Sequence, residues 1–150
     1  MPIIPEEDQQ YLRNLFNERL DQDVTLNLYT QRETGLIVPG QECATCRETH
    51  QLMDELVELS DKLKLQVHDF YAEGEQARAN GVEEIPAVVL QGQNKGAVRF
   101  IGAPAGYEFA TLIEDLIDVS RGATELQPET RKMLDGLTEP VHFQVFVTPT

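Results

Sequence analysis

A chain of 150 residues, 41% hydrophobic and 25% charged, can fill one well-packed domain and is short for two of average size. Its 26 acidic and 12 basic residues leave a formal charge of -14, which repels phosphate backbones and anionic lipid and argues against nucleic acid or a membrane surface as partner. Apolar residues run through the whole length, no basic and then apolar leader opens it, and no stretch reaches bilayer-spanning length; a soluble, cytoplasmic protein is expected.

Residues Pro5 to Leu20 carry Tyr11, Leu12, Leu15, Phe16 and Leu20 at three-and-four spacing, with acids in the first turn, which predicts an amphipathic helix. Val24 to Thr30 alternates and is rich in β-formers, a strand. Gln31 to Glu42, with two glycines and Pro39, reads as a loop leading to the first cysteine. From Cys43 onward Leu52, Met53, Leu56, Val57 and Leu63 form an apolar stripe while Glu48, Asp54, Glu55, Glu58 and Asp61 fall on other faces, the strongest helix signal of the chain. Leu63 to Phe70 returns to period two, and a short helix around Glu75 to Asn80 stops at Gly81.

Pro86 to Leu90 and Ala97 to Ile101 flank Gly92-Gln93-Asn94-Lys95-Gly96, a hairpin with glycine-rich turn chemistry. Tyr107 to Arg121 is a helix striped by Phe109, Leu112, Ile113, Leu116 and Ile117, with Gly122 as its stop. A helix followed by β-α-β-α-β-β-α implies an α/β domain whose mixed sheet is covered by helices. Beyond Gly122 the pattern begins again: Pro128-Glu129 heads a short helix to Leu137, and Val141 to Thr148 alternates like Val24 to Thr30. Residues 1–122 are therefore expected to form one unit, and 123–150 the helix and first strand of a second copy. Such a strand lacks a sheet of its own and is expected to pair within the chain or with a second copy in a homodimer.

Two cysteines are too few for a disulfide scaffold, and these stand as Cys43-Ala44-Thr45-Cys46 at the start of a helix. There, unpaired N–H groups and the helix dipole favour a thiolate, lowering the first thiol's pKa below its free value of about 8.5. Cys43 is thus the expected nucleophile and Cys46 the thiol that resolves a mixed disulfide, although Glu42 pulls against the thiolate. Half a zinc site is the competing reading, with His50 four residues after Cys46 as a third ligand, but a structural site needs a fourth and no second cysteine pair exists. His68 and His142 read as surface or packing residues. Ile85-Pro86 heads the third core strand, where a proline is tolerated and a cis bond can occur.

A strand, Cys43-Ala44-Thr45-Cys46 opening a helix, and Ile85-Pro86 before a hairpin and final helix together resemble the thioredoxin fold. With Gly102-Ala103-Pro104-Ala105-Gly106-Tyr107-Glu108-Phe109 and the restarted pattern after Gly122, the chain resembles the N-terminal unit of the glutaredoxin-like protein disulfide oxidoreductases, which join two such units. The resemblance implies a cis Ile85-Pro86 bond beside the cysteines, with Ala44, Thr45, Ile85 and Pro86 contacting an extended substrate. It also implies thiol-disulfide exchange with protein substrates, no cofactor and no metal, and a flavin-dependent enzyme of the thioredoxin reductase kind as electron donor. Two alternatives are an electron-relay domain for a peroxide-reducing system, which also pairs thioredoxin-fold units, and a non-catalytic binding module whose cysteines are structural or hold zinc. Val24 to Thr30 lacks the buried aspartate usual before the cysteines in thioredoxins, and the 31–42 loop is longer than the usual link.

Overall fold

The computed structural model describes residues 1–32 and 38–148. The middle of the expected loop from Gln31 to Glu42 lies outside the described residues. The elements run α1 (Glu6–Arg19), β1 (Val24–Thr30), α2 (Cys46–Val57), β2 (Leu63–Asp69), α3 (Gly74–Ala79), β3 (Ala87–Gln91), β4 (Val98–Ile101), α4 (Tyr107–Arg121) and α5 (Pro128–Asp135). The strands form one sheet in the order β2-β1-β3-β4. β1 lies parallel to β2, with Val24 opposite Leu63, and antiparallel to β3, with Leu28 opposite Val88. The sheet is mixed because the connection through α2 must cross over to a parallel neighbour, whereas the turn after β3 is short enough to reverse the chain.

Alternation along the strands sorts the two faces. Val24, Leu26 and Leu28 of β1 and Val88 and Leu90 of β3 join Leu12 and Phe16 of α1, Leu52, Met53 and Leu56 of α2 and Leu112, Leu116 and Ile117 of α4 in one cluster. Each such side chain removed from water contributes roughly 1.5–3 kcal/mol. Three helices therefore cover one face. The other carries a small cluster of Tyr29, Ala77, Val82, Ala87 and Val89, to which α3 supplies only Ala77.

The chain before α1 is held to α2. The Glu55 carboxylate accepts the Ile3 and Ile4 N–H groups at 2.8–2.9 Å. Burial acts to raise its pKa, but these donors, Gln51 and the charged N-terminus outweigh it and hold the carboxyl below its usual value. Gly122 ends α4 with φ of +64°, and a Cβ there would stand 2.8 Å from the Gln93 Cβ, so glycine suits this position on both backbone and steric grounds.

Two expectations need correction. The helix expected from Cys43 starts at Cys46, because residues 44 and 45 form a bend and the Thr45 carbonyl is the first acceptor, taking the Thr49 N–H at 2.9 Å. The strand expected over Val141 to Thr148 is not formed; the segment joins none of the four strands and its side chains are exposed, Val145 by 83% and Phe146 by 88%. An alternating sequence becomes a strand only where a ladder partner receives it, and the four-stranded sheet does not include this segment. The helix before it is present as α5, with no buried residue.

Candidate active site

The first cysteine follows a polar approach, and the second begins α2. Cys43 and Cys46 are joined as a disulfide with their Cα atoms 5.5 Å apart. They differ in access: Cys43 is half-buried, while Cys46 is 3% exposed. The difference follows from the helix, whose first turn turns Cys46 and Thr49 inward, with Thr49 1% exposed and its hydroxyl donating to the Thr45 carbonyl at 2.8 Å. Ala44 and Thr45 between the cysteines are exposed. The N–H groups ahead of Thr49 have no acceptor within the helix and face the cysteine end, a polarity that favours a thiolate there. Glu42 and Glu48 are exposed close by and act against it.

The Ile85-Pro86 bond is cis, as the resemblance implies. Its place follows from register: Tyr29 pairs with Ala87, so Pro86 stands at the end of the sheet where β1 finishes and the chain sets off toward the cysteines. The Pro86 side chain is buried, Ile85 packs beside the Tyr29 cluster, and the Pro86 carbonyl accepts the Gly102 N–H at 2.8 Å. The last bond draws the loop between β4 and α4 to the same end. Thus the topology brings the start of α2, the start of β3 and the Gly102 loop to one edge of the molecule.

A buried and an accessible cysteine at the head of a helix, on this sheet order and with a cis proline before the third strand, agree with sequence comparison, in which residues 36–114, just over half of the chain, match the thioredoxin domain. The chain belongs to the thioredoxin domain family. No curated protein matches the sequence. Among solved structures, it is similar to a protein disulfide oxidoreductase from Aeropyrum pernix, with 25% identity and a TM-score of 0.73 over 91% of this chain and 56% of the other. Its fold is also similar to an alkylhydroperoxide reductase from Enterococcus faecalis, with 23% identity and a TM-score of 0.73 over 89% of this chain and 60% of the other. This thioredoxin-domain chain therefore spans less than two thirds of either structure's length. A thioredoxin fold with a joined Cys43–Cys46 pair supports oxidoreductase chemistry in general.

His50, the third ligand of the competing zinc reading, is half-buried with Nε2 3.6 Å from an Asp54 carboxylate oxygen. Among the described residues no group of three or more His, Cys, Asp and Glu is placed to hold a metal ion. No helix among them is long and apolar enough to cross a membrane.

Away from the cysteines the thioredoxin domain holds a polar arrangement that sequence reading does not find. His68 packs, as expected for a packing residue, but does so by stacking on the buried Tyr29 ring with centroids 4.7 Å apart. Its ring nitrogens lie 2.8 Å from Glu73 and 3.1 Å from Asn27. The bond to His68 is the main reason the Glu73 carboxyl sits below its ordinary range, and burial raises the Tyr29 phenol. The available signal is the run of polar residues at alternate strand positions, Asn27 on β1 and Gln66 and His68 on β2, which reads equally as a solvated sheet face.

Proposed function

We propose that this protein exchanges thiols and disulfides with protein substrates, Cys43 making and breaking the bond to substrate and Cys46 resolving it. The observation that carries this reading is the unequal access of two bonded cysteines at the head of α2. In the reducing direction the Cys43 thiolate attacks one sulfur of a substrate disulfide, forming a mixed disulfide and releasing the other sulfur as a thiolate. The Cys46 thiolate then attacks the Cys43 sulfur, forming the Cys43–Cys46 bond and releasing the second substrate thiolate, so two electrons pass to the substrate. Run backward, the same steps oxidise a substrate dithiol. Ala44 and Thr45, exposed between the cysteines, and Ile85 with Pro86 at the neighbouring strand start are the proposed substrate contacts.

Returning the pair to the dithiol requires two electrons, for which a flavin-dependent enzyme of the thioredoxin reductase kind is the proposed donor. Residues 1–122 are the proposed redox unit and 123–150 the opening of a second one. The exposed 141–147 segment is where a strand of this chain or of a second copy would pair. Likeness in fold to an alkylhydroperoxide reductase supports a second reading, an electron relay to a peroxidase.

The test is insulin disulfide reduction followed by turbidity. Cys43→Ser is expected to fall to the uncatalysed rate, while Cys46→Ser accumulates a mixed disulfide visible by mass. Full activity in Cys43→Ser overturns the assignment. Turnover with a peroxidase and peroxide, in place of insulin, favours the relay.

A further inference from the structure

Thr49 is a buried polar side chain at the cysteine end of α2, 1% exposed and one turn on from Cys46, itself 3% exposed. Its hydroxyl and its backbone N–H donate to a single acceptor, the Thr45 carbonyl, at 2.8 and 2.9 Å. The exchange steps themselves make no use of this hydroxyl. A threonine within a helix can bond the carbonyl four residues back wherever it stands. Here that carbonyl belongs to the peptide leading into the second cysteine.

The peptide unit joining Thr45 to Cys46 is planar and is not cis, so its carbonyl and its N–H point in opposite directions. Two donors that draw the carbonyl along α2 therefore turn the Cys46 N–H the other way, toward the open end of the helix. Thr45 stands at φ -112° and ψ 0°, away from the helical ψ of about -42°, so the regular ladder does not by itself dictate how this peptide is turned. The Thr49 hydroxyl adds the second restraint.

The open end is where the nucleophile lies. The Cys46, Arg47 and Glu48 N–H groups donate to no described residue, and no side chain caps the helix. Cys43 stands just ahead of them, its Cα 5.5 Å from that of Cys46, so a thiolate there meets uncommitted donors at the positive end of the helix. A carbonyl that accepts a further hydrogen bond polarises its amide, and the N–H at the other end becomes a stronger donor. Aim and strength change in the same direction. The other charged groups of this edge are Glu42, Arg47, Glu48 and, next to Ile85-Pro86, Glu83 and Glu84, all exposed, with His50 half-buried on α2; replacing Thr49 leaves them in place. We infer that Thr49 is a positioning residue of the cysteine centre, its hydroxyl acting through the Thr45–Cys46 peptide to aim and strengthen the N–H that stabilises the Cys43 thiolate. The inference rests on the reading of Cys43 as the attacking thiol.

In the test the reduced full chain is alkylated with iodoacetamide across a range of pH, and fragment masses follow Cys43. Thr49→Val, which keeps the shape and removes the hydroxyl, should move the half-maximal pH up by about half a unit, which slows the reaction about threefold below that pH. It should also shift the equilibrium with glutathione toward the disulfide, because the reduced form loses stabilisation. Thr49→Ser restores the donor and should return both readings to the wild-type values. Leu56→Ala, a core deletion on the same helix, should lower Tm and leave the midpoint where it is. If Thr49→Val does not fold, Thr49→Ala carries the comparison. Insulin reduction by the wild type is run alongside: an inert wild type overturns the exchange reading, while a midpoint shifted by Thr49→Val still supports the role of Thr49. An unmoved midpoint in Thr49→Val or Thr49→Ala, an equal shift in Thr49→Ser, or an equal shift in Leu56→Ala would each overturn the inference.

Discussion

Cys43 and Cys46 show how much chemistry two positions can state without a fold. Their spacing alone allows a bond, but which of them faces a substrate depends on the first turn of α2, which buries Cys46 and leaves Cys43 within reach. The same helix-by-helix dependence governs single charges. On α4, Asp115 is half-buried, and burial first, then the neighbouring Asp118 and Glu114, raises its pKa above the ordinary value of 3.8. A carboxyl whose pKa is raised by folding weakens the native state wherever it is ionised, and the penalty disappears once pH falls below the unfolded value, where both states are protonated. Asp115→Asn is therefore expected to raise Tm at neutral pH and to lose that advantage as pH drops below about 3.8, a comparison that thermal melts across that range would check. Pro86 was legible as a strand start, and its neighbour Ile85 with it, because a missing N–H restricts a residue wherever it stands. Thr49 was not legible as part of the site, since its burial is decided by what packs against α2.

At the scale of elements, α1 is the informative case. Its apolar spacing predicts an amphipathic helix, but not what it covers. In the structure Phe16 is fully buried and Leu12 4% exposed, in the same cluster as α2 and α4, so α1 belongs to the domain's core. Phe16→Ala should lower unfolding stability by about 3–5 kcal/mol, measured by urea denaturation; a loss below about 1 kcal/mol would show α1 to be an appendage. Helix starts were less legible than helix bodies. The apolar stripe of α2 is periodic over several turns, whereas its beginning depends on which carbonyl accepts first, and that is Thr45. Strands were legible where their partners lay within the chain, as with β1 and Val24 to Thr30, and misleading at Val141 to Thr148, whose pattern matches but whose ladder is not made.

For the molecule as a whole, the consequence is an uneven division of stability. Every described residue from 122 to 148 is exposed, and the ties from this stretch to the domain include the exposed Arg19–Glu125 pair at 2.8 Å, a type of contact worth about 0–1 kcal/mol. Removing residues 123–150 should thus leave Tm within about 2 °C of the full chain; a large fall would mean that α5 or the tail contributes packing. The amino-acid sequence by itself determined the element order, the cysteine pair, the proline at the head of β3 and the stop at Gly122, because these rest on periodicity, covalent chemistry and backbone freedom, all local. Only the tertiary structure decided the strand order β2-β1-β3-β4, the unequal burial of Cys43 and Cys46, and the meeting of β3's start with the cysteine edge. Each of these joins residues far apart in the chain, and a side chain's surroundings exist only once the sheet has chosen its neighbours.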